Sequence, residues 1–210
     1  MPMPEMSNPA EDKPGRSEDG EEHALLQLVV DGDRDAFRSL YERYYQPLFR
    51  FIYRITRRTD LAEEGAADAM LVVWQNAKSF QGRSRVSTWI MGIGYRKGLK
   101  LAERAKRQSE RFVSMDSDDV GEPSSWHPEH MDMATLQDWL DVGLRRLPAE
   151  QRAVVELTYF HGYSYAEIAG ILSCPVNTVK TRMFHARARL RRLLPELSLT
   201  RGSGLREDAP

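Results

Sequence analysis

The fold is decided by residues 164–194, which read S-Y-A-E-I-A-G-I-L-S-C-P-V-N-T-V-K-T-R-M-F-H-A-R-A-R-L-R-R-L-L. Ser164 and Glu167 have the spacing of a capping box, in which the hydroxyl accepts from the third helical amide and the carboxylate accepts from the cap amide. A short helix is therefore predicted from Tyr165 to a turn at residues 173–175. A second helix follows this turn, because its proline is tolerated at the first position of a helix.

The second helix combines one apolar face with a basic surface. Between residues 180 and 192 it carries six basic and no acidic residues. Such a helix repels itself unless a polyanion lies beside it, and the DNA backbone is one. We interpret residues 164–194 as a helix-turn-helix with a recognition helix, in preference to a basic helix that is merely solvated. The apolar face recurs at steps of four and three: Val179, Met183, Ala186, Leu190 and Leu193.

Composition indicates a globular chain. The 210 residues are 41% hydrophobic, which is enough for one large core or two small ones. No apolar run approaches the ~18 residues of a membrane span, and the N-terminus is neither basic nor apolar enough for a signal peptide. We therefore expect a cytoplasmic protein without membrane insertion. Its single cysteine, Cys174, cannot form an internal disulfide.

The net charge of −1 hides strong segregation along the chain. Residues 1–22 hold seven acidic and two basic residues, and residues 95–111 hold seven basic and two acidic residues. Residues 112–143 hold eight acidic residues and no Lys or Arg. Two basic elements, the second being the recognition helix, are thus separated by an acidic connector. This pattern indicates two contacts with nucleic acid on a jointed protein.

Helical periodicity also covers the N-terminal half. A first helix is predicted from an Asp33 or Asp35 cap, with a kink or break at Pro47, and a second helix covers about residues 61–79. A third helix begins near Val86, and along one of its faces apolar residues give way to cations at unchanged spacing. This change predicts a helix that leaves the core to lie on phosphates, rather than a solvated helix end. The face consists of Val86, Ile90, Ile93, Lys97, Lys100, Arg104, Arg107 and Arg111.

These elements predict an all-α fold of two small helical domains joined by a flexible acidic linker. His127 and His130 in the linker lack a third ligand nearby, so no metal site is expected. Without a nucleophile–base pair, a phosphate loop or a metal cluster, we expect a protein that is not an enzyme and needs no cofactor or small-molecule substrate. The predicted organisation is a disordered acidic tail over 1–23, a domain over 24–111, the linker over 112–133, a domain over 134–196 and a disordered tail over 197–210.

Three stretches, at this order and separation, carry a resemblance to a known family. They are A-F-R-S-L-Y-E-R-Y-Y-Q-P-L-F-R-F with D-L-A-E-E-G-A-A-D-A-M-L-V-V-W, then F-Q-G-R-S-R-V-S-T-W-I-M-G-I-G-Y-R-K-G-L-K, then L-R-R-L-P-A-E-Q-R-A-V-V-E-L-T-Y-F-H-G-Y-S-Y-A-E-I-A-G-I-L. With them the chain resembles the extracytoplasmic-function class of bacterial sigma factors, the promoter-recognition subunits of RNA polymerase. The resemblance implies that residues 24–111 are the family's second sigma domain and residues 134–196 its fourth.

The second sigma domain binds polymerase and opens the minus-ten element of the promoter, so the resemblance implies two surfaces. The surface facing polymerase includes Phe51, Asp68 and Trp74. On the other surface, a flipped base needs an aromatic pocket with hydrogen-bonding neighbours, and the melted strand needs a cationic track. The implied minus-ten residues are Phe80, Arg83, Ser84, Arg85, Ser87, Thr88, Trp89, Tyr95, Arg96, Lys97, Lys100 and Arg104.

The fourth sigma domain reads the minus thirty-five element as duplex DNA, through base edges and phosphates. The implied function is promoter-specific initiation of transcription, and the implied partners are core RNA polymerase, promoter DNA and an anti-sigma factor. The implied base contacts are Lys180, Thr181, Phe184 and His185, and the implied phosphate contacts are Thr178, Arg182 and Arg187.

Two other functions stay open at this point. A one-site DNA-binding regulator would also contain the helix-turn-helix, but it would not need residues 80–111. A sigma-like adaptor would bind a regulator without starting transcription. Gly65-Ala66-Ala67 keeps this function open, because it departs from the bulkier, Gln-containing run of the family.

Overall fold

The computed structural model describes residues 16–113 and 142–202, and no strand occurs within these two ranges. The predicted all-α class is confirmed. A 3₁₀ turn at Ala77–Ser79 follows the third helix, and residues 142–145 are also helical. The α-helices are α1 (Arg16–Val30), α2 (Arg34–Thr56), α3 (Thr59–Asn76), α4 (Val86–Val113), α5 (Ala149–Tyr159), α6 (Tyr165–Leu172) and α7 (Val176–Gly202).

Helix α2 is delimited by two local features of the sequence. The Asp33 carboxylate accepts hydrogen bonds from the amides of Asp35 (2.8 Å) and Ala36 (3.0 Å), so the first of the two candidate caps is the one used. At the other end Arg57 adopts a left-handed conformation, with φ 57°, which ends the helix. The helix continues through Pro47 without a break, because buried side chains on both sides of the proline anchor it to the core.

Helices α2, α3 and α4 approach closely because glycines face large side chains where they cross. A methyl group on Gly65 would lie 3.1 Å from the Ile52 side chain, and one on Gly94 would overlap the fully buried Leu48. Gly65 and Ala66 are both buried, so their small size serves packing inside the N-terminal unit formed by α1 to α4. Gly65 and Ala66, which replace the bulkier run of the family, therefore belong to the core.

Helix α1 corrects the expected N-terminal tail. It begins at Arg16, so disorder over residues 1–23 is the wrong prediction for the part that the structure describes. The buried Glu22 explains the difference, because it accepts hydrogen bonds from the Tyr44 hydroxyl and, at 3.3 Å, from Arg43. Burial and the bond to Glu22 raise the pKa of Tyr44. The acidic composition of residues 1–22 predicted a solvated tail. One of these acids, Glu22, is instead buried and paired, and it holds α1 on α2.

The C-terminal unit, α5 to α7, forms around the predicted capping box and turn. Ser164 Oγ accepts from the Glu167 amide at 3.3 Å, and the Glu167 carboxylate accepts from the Ser164 amide at 2.8 Å. Ser173, with φ 52°, turns the chain into α7, which extends past the expected boundary at residue 196. The buried core of this unit contains Leu144, Leu147, Val154, Leu157, Ile168, Ile171, Val179, Met183 and Ala186.

The two units pack on each other, and their buried side chains form one continuous cluster. Helix α4 lies against α6, where the Ile171 backbone is 3.7 Å from the position that a Cβ on Gly92 would take. Residues 114–133 of the predicted linker, with His127 and His130, lie outside the described residues. The two helical domains predicted from the sequence are thus in direct contact in this conformation.

Candidate nucleic-acid interface

Helix α7 presents the predicted base-reading residues to solvent. Three residues of its predicted apolar face are completely buried, so the opposite side points outward. Phe184 is 43% exposed although it is a large apolar residue, and its ring packs edge-on against His185 at 5.5 Å. An exposed aromatic beside hydrogen-bonding groups suits the thymine methyl groups and base edges of a major groove. The exposed set, named here the outer face of α7, is Lys180, Thr181, Phe184 and His185.

The residues predicted to hold phosphates are partly engaged within the protein. Arg182 forms an ion pair with Glu150 at 2.6 Å, so this cation is shared between a neighbouring acid and any phosphate. Arg187 donates a hydrogen bond to the Tyr159 hydroxyl at 2.6 Å, which fixes the direction of its guanidinium. Thr178 is half-buried. Glu150 and Tyr159 were not predicted as partners, because both lie on α5 and reach α7 only through tertiary packing.

The loop before α4 places aromatic and polar residues together, as predicted for a base-binding pocket. Phe80 packs against Trp89, with ring centroids 5.4 Å apart, and against His23 of α1 at 5.8 Å. Arg83 and Ser84 are exposed beside them. The contribution of His23 was missed because that residue was assigned to the disordered tail.

Two residues predicted to capture bases, Thr88 and Tyr95, are covered by the C-terminal unit. Thr88 is 4% exposed and Tyr95 is 9% exposed. The Thr88 methyl carbon lies 3.3 Å from the position that a Cβ on Gly170 of α6 would take. Burial raises the pKa of Tyr95, and the charges of Arg182 and Glu150 act on its hydroxyl. Neither residue is accessible to DNA in this conformation, which corrects the expectation of an open pocket.

Arg85, another predicted minus-ten residue, joins both units. Its guanidinium forms ion pairs with Asp19 of α1 at 2.9 Å and with Glu167 of α6 at 3.1 Å. Glu167 is therefore used twice, because its other carboxylate oxygen caps α6 through Ser164. Ser87 is half-buried near this junction.

The cationic stripe of α4 is partly neutralised by acids of α3. Lys97 donates to Asp68 at 2.9 Å, and Arg104 forms an ion pair with Glu64 at 3.3 Å. The first pair joins a residue expected to contact DNA with one expected to contact polymerase. The cationic stripe was predicted to leave the core. Its pairs with Asp68 and Glu64 instead place it along α3. Three predicted DNA-binding cations of α4 are exposed: Lys100 and Arg104 in the stripe, and Arg96 beside it.

The predicted polymerase-facing residues do not share one surface. Phe51 is completely buried between Tyr95 and His161, which corrects its assignment to the outside of α2. Trp74 is half-buried and packs edge-on against Phe37 at 5.1 Å. Leu71, one turn before Trp74, is 50% exposed and was not singled out from the sequence.

His161 lies at the junction of the units. Its ring contacts Phe51 at 5.7 Å and Tyr163 at 6.4 Å. Burial, and then the nearby cations Arg50 and Arg54, lower the pKa of His161 to about 4. The side chain is therefore neutral at pH 7 and opposes protonation while the units are packed.

Neither a metal-binding cluster nor a membrane-spanning helix is found among residues 16–113 and 142–202. No cluster of three or more His, Cys, Asp or Glu side chains in this part of the chain could hold a metal ion. Within the same residues, no helix has the length and apolarity needed to cross a membrane.

Comparisons with known proteins agree with this architecture. The family models described as Sigma-70 region 2 and Sigma-70, region 4 match residues 40–108 and 137–190. The ECF RNA polymerase sigma factor SigM of Mycobacterium tuberculosis (strain ATCC 25618 / H37Rv) is 35% identical over 200 residues, covering 94% of this chain and 96% of the relative. The RNA polymerase sigma-H factor of Pseudomonas aeruginosa is 27% identical and covers 84% of this chain and 95% of its own length.

Solved structures give the same result for the fold. The sigma factor RpoE of Bartonella quintana, solved with the anti-sigma factor NepR, matches 76% of this chain and 96% of its own with a TM-score of 0.59 and 27% identity. CnrH, solved with the cytosolic domain of CnrY, matches 84% of this chain and 98% of its own with a TM-score of 0.62 and 22% identity. Given these matches over both helical units, the chain belongs to the ECF family of RNA polymerase sigma factors.

Proposed function

We propose that this chain binds core RNA polymerase, directs it to a specific set of promoters and is controlled by an anti-sigma protein. The observation that carries the proposal is the presence of two separate cationic helices, α4 and α7, one in each matched sigma region. A protein that reads one DNA element needs only one of them. Two such helices suit a subunit that contacts a promoter at two elements.

The outer face of α7 reads the minus thirty-five element as duplex DNA. Lys180 donates to guanine acceptors, and the exposed Phe184 ring packs on thymine methyl groups. Arg187, oriented by Tyr159, holds a phosphate, since its bond to the neutral hydroxyl leaves its charge uncompensated.

The loop before α4 and the start of α4 hold the melted minus-ten strand. The Phe80 and Trp89 rings offer stacking surfaces for unpaired bases, and the exposed Arg83, Arg96 and Lys100 attract the backbone. These groups act by binding single-stranded DNA, so the protein supplies specificity and strand separation while the polymerase supplies the chemistry.

The polymerase contact lies on the exposed side of α3, where Leu71 is 50% exposed beside the half-buried Trp74. An exposed leucine next to an aromatic residue provides the apolar anchor that a protein interface uses. Phe51, being buried, contributes only by supporting the core.

Control by an anti-sigma protein is supported by the Bartonella quintana relative, which was solved bound to its anti-sigma factor NepR. A regulator of this kind has apolar surface to bind on this chain. Tyr159 and Phe160 at the end of α5 are 53% and 49% exposed, and Tyr53 of α2 is 38% exposed.

Neither alternative function has comparable support. A one-site regulator would not need the α1 to α4 unit. A non-initiating adaptor was suggested by Gly65-Ala66-Ala67, but the first two of these residues are buried in the core, where Gly65 faces Ile52 of α2.

Run-off transcription tests the proposal. Purified chain and the organism's core polymerase are incubated with a library of randomised promoters, and the transcribed templates are sequenced. We expect enrichment of two conserved elements at a fixed spacing. A folded chain that yields no transcript, or only one enriched element, would contradict the proposed function.

A further inference from the structure

Helix α1 is held on the N-terminal unit through one of its faces. Glu22, Leu26 and Val29 recur at steps of four and three, and all three are buried. The Glu22 carboxylate also accepts from the Tyr44 hydroxyl and from Arg43 of α2. Helix α1 is therefore a fixed part of the N-terminal unit, and the side chains next to its buried face have defined positions.

His23, the residue after Glu22, brings α1 to the loop before α4. The His23 side chain is exposed, and its ring centroid lies 5.8 Å from that of Phe80. The Phe80 ring in turn lies 5.4 Å from the ring of Trp89 on α4. Three rings from three segments of the chain thus form one aromatic group with Phe80 in the middle.

An ion pair joins α1 to the other end of the same loop. Asp19 lies one turn before His23, and its carboxylate is 2.9 Å from the Arg85 guanidinium. Residues four apart share one side of a helix, so α1 contacts both ends of the loop from the same side. Both contacts lie within the N-terminal unit, and neither depends on the position of the C-terminal unit.

The three rings offer different chemistry to an unpaired base. Phe80 provides only a stacking surface, and stacking tolerates every base because each base has a π face. Trp89 adds a single N–H donor, whereas the neutral imidazole of His23 has both a donor and an acceptor. Bases differ in the order of donors and acceptors along their edges. His23 is therefore the member of the group best suited to distinguish one base from another.

We propose that His23 is a specificity-determining residue, which hydrogen-bonds to the edge of an unpaired minus-ten base that stacks on Phe80. This inference rests on the proposed function, because it names a residue that selects the strand bound there. It extends the site to α1, a helix that lies outside residues 40–108, the part of the chain matched by the region 2 family model.

Transcription from two promoter libraries tests this role in the full-length chain bound to core polymerase. One library randomises only the minus-ten element, and the other randomises only the minus thirty-five element. His23→Ala should lower the preference for one base at one minus-ten position by about five-fold or more. The preferences in the second library should stay as in the wild type, because α7 is unchanged.

His23→Phe separates hydrogen bonding from ring packing. Phenylalanine keeps a ring against Phe80 and has no ring nitrogen, so this variant should lose the same preference as His23→Ala. Wild-type preference in His23→Phe would overturn the proposal, because the ring would then only support Phe80. Gln27→Ala, which removes an exposed polar side chain from the next turn of α1, is the matched control and should retain every preference. An equal loss in this control would also overturn the proposal.

The wild-type selection distinguishes failure of the inference from failure of the proposed function. If the folded wild-type chain gives no transcript from any promoter, the proposed function fails and the inference fails with it. If the wild type is active and the folded His23 variants select the same minus-ten bases, only the inference is overturned. A uniform loss of transcript without a change in base preference has the same meaning.

Discussion

The two helices that we propose to bind DNA, α7 and α4, differ in what covers them. The outer face of α7 is open, with Phe184 43% exposed, whereas the side of α4 that carries Thr88 lies under α6, with Thr88 4% exposed. Both helices are cationic, so charge does not explain the difference. Under the proposed function, α7 is therefore open to duplex DNA in this conformation, whereas the Thr88 side of α4 is closed to a melted strand.

The apolar side of each helix accounts for this arrangement. Val179, Met183 and Ala186 all point into the C-terminal core, which leaves the other side of α7 without a neighbour. Helix α4 is buried on two sides instead: Gly94 faces Leu48 of α2, and Gly92 faces Ile171 of α6. The first contact lies within one unit, and the second joins units that are linked through a long connector.

The largest effect is expected on the binding of duplex DNA by the outer face of α7. Lys180→Ala should weaken binding to the duplex minus thirty-five element by about 1–3 kcal/mol, because a base-edge contact is lost. Fluorescence anisotropy with the element recovered by transcription selection measures it. Arg38→Ala, which removes an exposed cation from α2, is the matched control and should change affinity little. Equal losses in the two variants would mean that α7 attracts DNA by charge alone.

The next prediction compares the contact of α4 with α2 and its contact with α6. Gly94→Ala should lower the free energy of unfolding by about 1–2 kcal/mol, since overlap with Leu48 outweighs the gain in helix propensity. Gly92→Ala should not, because its nearest neighbours are at ordinary contact distances of 3.5 and 3.7 Å. Urea unfolding compares them. A larger loss at Gly92 would show that the α6 contact is the tighter of the two.

The sequence predicted the local features of this fold and missed the contact between its units. The capping box of Ser164 and Glu167 and the buried face of α7 depend on residues within a few turns of one another, so spacing was sufficient. Arg85 and Glu167 are far apart in the chain, and no periodicity relates them. Phe51 was assigned to a surface by resemblance alone, and the tertiary packing shows that it lies inside.

Acid should weaken the closed state through His161. Its pKa falls from about 6.5 when exposed to about 4 when buried near Arg50 and Arg54, so the open or unfolded chain binds more protons between these values. Stability is present above pH 6.5 and is lost as the pH falls towards 4, by about 1 kcal/mol at pH 5.5.

Chemical unfolding at pH 7.5 and 5.5 measures this loss. His161→Phe keeps an aromatic ring against Phe51 and cannot be protonated, so its stability should change less between the two conditions. The same loss in the variant and in the wild type would assign the pH dependence to other groups.

The smallest effect concerns the orientation of Arg187, the residue that we propose to hold a phosphate. Tyr159→Phe removes the hydroxyl that accepts from Arg187 and should weaken duplex binding by about 0.5–1 kcal/mol. Arg187→Ala should weaken it more and should lower the salt dependence of binding by about one unit. The salt titration separates the two, because only the second variant removes a charge. An unchanged affinity for Tyr159→Phe would show that Arg187 needs no support from α5.

Hydroxyl-radical footprinting of the free chain most directly tests whether α4 is covered while α7 is open. Tyr53, which is 38% exposed, serves as the reference for Tyr95, which is 9% exposed, because the two rings have the same intrinsic reactivity. We predict that Tyr53 and Phe184 are oxidised several-fold faster than Tyr95 in the free chain. Tyr95 oxidation as fast as that of Tyr53 in the free chain would contradict the closed arrangement.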